Sequence, residues 1–165
     1  LYLQMKKYSI EFKWELIFIF MSLVWMLLER LTGLHDENID QHAIYTNLIA
    51  IPAILIYYFA IKEKHDRFYK GQISFKQGFK SGLIISIIVT LITPLSLYIS
   101  TKYISPEYFT NAVEYSVKNK LMVKNEALAY FNYKNYLVLS LMSAPVMGII
   151  TSLIISFIIK TIKDE

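Results

Sequence analysis

The sequence predicts an all-α integral membrane protein, a bundle of four transmembrane helices with an amphipathic outer helix between helices three and four. Four long apolar segments support this prediction, at about residues 14–34, 43–61, 77–104 and 136–159. Their lengths suit a bilayer core, which about 20 mostly apolar helical residues can cross. They also lack the charged face that a soluble helix of this length presents to water. Because 55% of the 165 residues are hydrophobic, we expect one membrane domain, residues 5–165, and no separate soluble domain.

Basic residues mark the start of the first helix. Lys6 and Lys7 precede a long apolar stretch, as they would in a signal peptide. No small-residue cleavage site follows, so a retained helix over about 14–34 is expected. Residues 1–4 are interpreted as the remnant of an expression tag, with Met5 as the native start.

Glu29 is the charged residue of greatest functional interest, because a charge at membrane depth is costly and usually has a reason. If Trp14 anchors the inner interface, Glu29 lies about 22 Å further along the helix, within the outer part of the core. Asn47, near the outer end of the second helix, could share that depth. Glu29, Arg30 and Asn47 are therefore candidates for binding a cation or polar head group, or for relaying protons. The alternative is a charge pair at the outer interface that extends to water.

The loop after the first helix is rich in ionisable residues. They could ligate a metal, but their spacing matches no rigid metal-binding motif, so a solvated acidic loop is the favoured interpretation. These residues are His35, Asp36, Glu37, Asp40 and His42. We predict no metal and no other cofactor.

The third helix has a clear start signal. Ser74 and Gln77 fit a capping box, in which the serine hydroxyl accepts from the first turn and the glutamine reaches back. The helix is therefore expected to begin near Phe75 at the membrane interface and to cover about 77–104.

The segment 105–135 is predicted to lie outside the membrane core. Ser105 and Pro106 resemble a helix start, with serine as the cap and proline at the first helical position. Apolar residues then recur every four positions with lysines on other faces, which indicates an amphipathic helix along the outer membrane surface. The apolar residues are Phe109, Val113, Val117 and Leu121. The alternative is an extracellular loop with one helical turn.

Helices three and four each carry small residues at intervals of four. Such stripes let helix backbones approach closely inside lipid. The residues are Gly78, Gly82, Ser86 and Thr90 on helix three, and Ser140, Ala144, Gly148, Ser152 and Ser156 on helix four. The stripes predict packing of helix three on helix four, or a homodimer seam.

The distribution of positive charge predicts the orientation. Lysines and arginines number 11 on the side that holds both termini and the loop 62–80, and 6 on the other side. Since short loops rich in lysine and arginine stay in the cytoplasm, both termini are expected on the cytoplasmic side of a bacterial inner membrane. The net charge of +4 is explained by these flanking lysines, so the expected partner is the lipid bilayer and not a nucleic acid.

One segment resembles a known family. The stretch from Ile73 to Gly82, which enters a long apolar helix, resembles the signature of domain of unknown function 4199, a bacterial membrane family common among Bacteroidota. The stretch from Ile104 to Phe109 resembles the segment after that family's third helix. The length and four-helix layout also match. The resemblance implies a membrane fold but no activity and no catalytic residues.

Two function classes remain open, and an enzyme is not expected. The chain has no cysteine and no nucleotide loop, nucleophile elbow or zinc-protease motif. The leading hypothesis is a non-enzymatic assembly, scaffold or sensor module. The alternative is a small transporter or channel subunit with a polar site near Glu29, which is supported by prolines inside three helices. These are Pro52, Pro94 and Pro145.

Overall fold

The chain is mostly helical in the part that the structure, a computed structural model, describes: the backbone of residues 2–161 and the side chains of residues 8–161. No strand occurs in that part. The helices in chain order are α1 (Tyr2–Leu31), α2 (Ile39–Tyr45), α3 (Ala50–Glu63), α4 (Phe75–Ile99), α5 (Tyr108–Lys118), α6 (Lys124–Tyr130) and α7 (Tyr133–Ile159). A 3₁₀ turn over Thr46–Ile49 joins α2 to α3, and π-helical turns over Lys64–Phe68 and Ser100–Ile104 extend α3 and α4. The side chains of the expected tag, 1–4, and of Lys6, Lys7 and Lys163 lie outside the described residues.

Three helices of the described residues are long and apolar enough to cross a membrane: Ile39–Phe68, Phe75–Ile104 and Tyr133–Ile159. They correspond to the predicted second, third and fourth spans. The first predicted span is not among them, because the charged residues of α1 leave only residues 16–28 uncharged, about 20 Å of helix. The fourth membrane crossing therefore stays a prediction.

The start of α4 agrees with its predicted capping box. The Ser74 backbone N–H donates to Gln77 Oε1 at 2.8 Å, and the Gln77 N–H donates to Ser74 Oγ at 3.3 Å. The helix begins at Phe75, as expected.

The outer segment differs from the predicted single helix. It forms two short helices, α5 and α6, separated at Lys120, which has a positive φ of 57°. The prediction that Ser105 caps this segment was wrong: α5 begins at Tyr108, and its start has no side-chain cap. The Ser105 hydroxyl instead contacts the His35 ring. Val113 faces inward on α5, whereas Leu121 lies beyond the helix and is exposed.

The helices contribute to two compact units. The first unit comprises the described residues up to Ile19, Ile51–Leu91 and the described residues from Ser143. Its core is formed by Tyr57, Ala60, Ile61, Ile73, Ile85 and Ile155.

The small-residue stripes meet inside the first unit. A Cβ added to Gly82 would lie 3.2 Å from the Ser152 Cα, and one added to Gly148 would lie 2.9 Å from the Tyr57 hydroxyl. Gly78 similarly faces Ser156. The glycines are thus needed for the close approach of α4 and α7. Of the other stripe residues, Ser86 is buried, whereas Thr90, Ser140 and Ala144 are half-buried.

The second unit comprises Phe20–Ala50 and Ile92–Met142. It contains the end of α1, the acidic loop, α2, α5 and α6. Its buried residues include several polar groups, among them Glu29, His35, Ser105 and Ser116. Glu29 and His35 belong to the site described next.

Candidate metal centre

Glu29 is buried near the end of α1, with 2% of its surface exposed. The Trp25 indole N–H, one turn earlier on the same helix, donates to Glu29 Oε1 at 2.7 Å. This bond fixes the carboxylate and leaves Oε2 directed toward two histidines. Burying a carboxylate is expensive unless such partners are present.

A tight turn after α1 returns the chain to Glu29. The Leu34 N–H donates to Glu29 O at 2.9 Å, and the Gly33 N–H donates to Arg30 O at 3.0 Å. These bonds form a Schellman motif, which requires the left-handed φ of +75° at Gly33. The reversal places His35 in the interior, 2% exposed.

Two imidazoles converge on the second oxygen, Oε2, of the Glu29 carboxylate. The Nε2 atom of His35 lies 3.3 Å from Oε2, and the Nε2 atom of His42, on α2, lies 3.9 Å from the same oxygen. One ligand atom from each of the three residues lies within 4.8 Å of the others. In a tetrahedral zinc site the ligand atoms are about 3.3 Å apart, so the widest pair needs to close by no more than about 1.5 Å.

The other nitrogen of each imidazole has its own polar partner. His35 Nδ1 lies 2.8 Å from Ser105 Oγ, and His42 Nδ1 lies 3.4 Å from the Tyr108 hydroxyl. The Tyr108 hydroxyl in turn lies 3.0 Å from that of Tyr136. Outer contacts of this kind orient metal-binding histidines and fix which nitrogen can bind. Burial raises the pKa of the Tyr108 phenol above its ordinary value, so the hydroxyl keeps its proton near neutral pH.

The backbone of the loop is also held in place. The Asn111 side chain, on α5, donates to the His35 carbonyl oxygen at 2.9 Å. Tyr108 packs against both imidazoles, with ring centroids 4.9 Å from His35 and 5.1 Å from His42. The two histidines are therefore positioned by α5 as well as by their own turn.

A cavity of about 310 Å³ borders the site within the second unit. Its walls are mostly apolar, and Glu29 is the only charged residue among them. Trp25, Leu28 and Leu48 form part of the lining. The cavity provides space beside the carboxylate for water or a small ligand.

The structure separates the three predicted site residues. Arg30 is exposed and its guanidinium donates to the Ile104 carbonyl oxygen. Asn47 is exposed and donates to the Ala43 carbonyl oxygen at 2.7 Å. Neither side chain joins the Glu29–histidine cluster, because each donates to a backbone carbonyl outside it.

The acidic loop also divides into two parts. Asp36, Glu37 and Asp40 are exposed, as a solvated loop requires, whereas His35 and His42 turn inward. The sequence analysis did not predict this division, because it considered the loop residues together as possible metal ligands and assigned Glu29 to a separate site with Arg30 and Asn47. The sequence does contain a signal for the inward histidines. Gly33 stands just beyond the end of an apolar helix, where glycine typically reverses the chain, and two histidines seven residues apart follow it.

The first unit holds a second group of buried charges. Lys64 Nζ lies 3.0 Å from Glu11 Oε2, and the Ser81 hydroxyl donates to Glu11 Oε1 at 2.8 Å. Glu15 is also buried, and neither of its oxygens has a hydrogen-bond partner in the described part of the chain. A lysine cannot ligate a metal while protonated, so this group does not form a comparable centre.

Residues 13–161 match the profile of a family described as "Protein of unknown function (DUF4199)". No curated protein and no solved structure matches the chain.

Proposed function

We propose that this chain, which belongs to the DUF4199 family, is a non-enzymatic membrane module that binds a divalent transition-metal ion at Glu29, His35 and His42. The supporting observation is the convergence of two imidazole nitrogens and one carboxylate oxygen within 4.8 Å. Imidazole with carboxylate suits zinc and its first-row neighbours, whereas Mg²⁺ and Ca²⁺ prefer sets of oxygen ligands. Three protein ligands leave a fourth position for water or a small ligand.

Binding requires a proton to change position on His35. Without metal, the neutral His35 would donate from Nε2–H to Glu29 Oε2, 3.3 Å away, and its Nδ1 would accept from the Ser105 hydroxyl, 2.8 Å away. With a metal bound, Nε2 of His35 would hold the ion and Nδ1 would carry the proton, so that Nδ1–H would donate to Ser105 Oγ. Ser105 serves both forms because a hydroxyl both donates and accepts.

The proposal is tested by zinc titration of the purified full chain in detergent. We expect Zn²⁺ to bind with one-to-one stoichiometry and to raise the melting temperature, whereas Mg²⁺ and Ca²⁺ at the same concentration do not. Glu29→Gln and His42→Gln should each weaken binding by about 100-fold or more, and Ser105→Ala by roughly 10- to 100-fold. His65→Gln is the matched control, because His65 contacts Asp66 outside this cluster.

The titration can also reject the proposal. Folding of each variant is checked by circular dichroism and size-exclusion chromatography. If well-folded Glu29→Gln and His42→Gln proteins bind Zn²⁺ as the wild type does, or if His65→Gln removes binding, the three residues are not the site.

A transport role is the second candidate, supported by the cavity beside Glu29. Discontinuous or kinked helices at membrane depth occur at transporter sites, and Pro94 and Pro145 lie inside α4 and α7. Proteoliposomes with an internal zinc indicator distinguish the roles. A saturable influx that Glu29→Gln abolishes would indicate transport, whereas binding without influx would indicate a sensor or storage module.

The proposed setting is a bacterial inner membrane crossed four times, with both termini in the cytoplasm. The 11-to-6 distribution of basic residues supports this orientation. Self-association through a small-residue helix face stays part of the proposal. It would use the half-buried end of the α7 stripe, at Ser140 and Ala144, because Gly82 and Gly148 already contact serines of their own unit.

A further inference from the structure

The first unit contains a second cavity, of about 250 Å³, with a different lining. Three lysines line it, Lys64, Lys76 and Lys80, together with one acid, Glu11. Tyr8 and Tyr69 also line it and carry phenolic hydroxyls. The cavity therefore combines several hydrogen-bond donors with an excess of positive charge.

The charges in this cavity do not cancel. Glu11 is neutralised by buried Lys64, which is 3% exposed, and it also accepts a hydrogen bond from Ser81. Lys76 and Lys80 form no ion pair within the described residues, and both are exposed. Three lysines and one carboxylate leave two positive charges, so the cavity favours an anion.

The position of the cavity indicates where that anion comes from. Lys76 and Lys80 are one turn apart in the first two turns of α4, at one end of the candidate span Phe75–Ile104. The rings of Phe75 and Phe79 stack with centroids 6.0 Å apart in the same turns. Tyrosine and lysine at the end of a span are typical of the level of the lipid head groups, and here Tyr69, Lys76 and Lys80 line the cavity.

We infer that this cavity binds the phosphate group of an anionic phospholipid. Lys76 and Lys80 would contact the phosphate oxygens with the two positive charges that remain, while the buried Lys64–Glu11 pair would form the neutral inner wall of the cavity. The tyrosine hydroxyls and the Gln77 amide, which also lines the cavity, would donate to the head group. Burial raises the pKa of the Tyr69 phenol, so its hydroxyl stays a donor near neutral pH. Basic cavities among membrane helices recognise anionic head groups in this way.

The test uses the purified full chain in micelles of a neutral detergent. Phosphatidylglycerol, phosphatidylcholine or inorganic phosphate is added, and thermal unfolding is followed together with native mass spectrometry. We expect phosphatidylglycerol to raise the melting temperature and to remain bound in the mass spectrum, whereas phosphatidylcholine and inorganic phosphate do neither. The double variant Lys76→Gln/Lys80→Gln should bind phosphatidylglycerol roughly 30-fold more weakly, at about 1 kcal/mol per lysine.

A matched control distinguishes binding in this cavity from a general effect of the protein's positive charge. Lys62→Gln/Lys70→Gln removes the same net charge from residues that do not line the cavity, so it should bind as the wild type does. The inference is overturned if Lys76→Gln/Lys80→Gln retains wild-type affinity, or if the control loses affinity equally. Equal stabilisation by phosphatidylcholine or by inorganic phosphate would also overturn it.

Discussion

Two buried carboxylates of α1, Glu29 and Glu15, differ in what their oxygens contact. Glu29 has Trp25, His35 and His42 around it. Glu15 is 0% exposed, and its oxygens lack partners in the described part of the chain. Sequence reasoning identified Glu29 from the cost of burying a charge. It did not identify Glu15, because it placed this end of the helix at the membrane interface, where a carboxylate reaches water.

We predict that Glu15→Met stabilises the protein. The substitution keeps a similar volume and removes a polar group that has no compensating hydrogen bond. The free energy of unfolding should rise by about 1–3 kcal/mol, measured as a higher melting temperature in detergent.

Glu11→Met provides the opposite case in the same helix. It removes one partner of the buried Glu11–Lys64 pair and leaves Lys64 uncompensated, so it should lower stability by about 3–5 kcal/mol. A lower melting temperature for Glu15→Met would show that the Glu15 carboxyl has a partner, and it would contradict the prediction that this carboxyl is buried without one.

At the scale of elements, the ends of helices were partly predictable. The Ser74–Gln77 capping box correctly located the start of α4, since both bonds are local in sequence. The Ser105 cap was wrong because a tertiary partner, His35, competes for the same hydroxyl. The break between α5 and α6 has little sequence signal, since lysine rarely adopts the positive φ found at Lys120.

The turn at Gly33 connects local structure to the metal centre. Gly33→Ala should destabilise the protein by about 1 kcal/mol, because alanine disfavours the left-handed φ of +75°. It should also weaken Zn²⁺ binding, since His35 depends on this turn. Gly71→Ala is the matched control: Gly71 has a φ of +82° and lies outside the site, with open space at its Cβ position. Equal zinc affinities for the two variants would show that the turn does not position the site.

The contact between α4 and α7 is a second property of elements. Gly82→Ala and Gly148→Ala should lower the melting temperature even though alanine favours helix. The added methyl groups would collide with Ser152 and Ser86, respectively. Val146→Ala, at an exposed position of α7, should have little effect. Wild-type stability of both glycine variants would mean that the helices do not approach closely.

At the scale of the whole molecule, composition and hydropathy predicted an all-helical membrane protein, and three candidate spans are present in the described residues. Hydropathy identified these spans because each contains a long uncharged stretch. It is less informative for α1, whose charges are partly buried in polar clusters. The clustering of Glu29, His35 and His42 depends on tertiary contacts from α5, which hydropathy does not report.

Orientation is a prediction for the whole molecule. In intact cells, Glu37→Cys should react with an impermeant thiol reagent and Gln72→Cys should not, because the loop 62–80 is expected in the cytoplasm. Both positions are exposed, and the chain has no other cysteine. Labelling after lysis controls for reactivity. If only the Gln72→Cys protein is labelled in intact cells, the orientation is the opposite of the predicted one.

The most direct test of the metal centre is X-ray absorption spectroscopy at the zinc edge, on the full chain loaded with one equivalent of Zn²⁺. We expect only nitrogen and oxygen ligands at about 2.0–2.2 Å, with outer-shell scattering from two imidazoles. His42→Gln should reduce the imidazole count to one, and His65→Gln should leave it at two. A spectrum without imidazole scattering, or one that His42→Gln does not change, would contradict a zinc site at Glu29, His35 and His42.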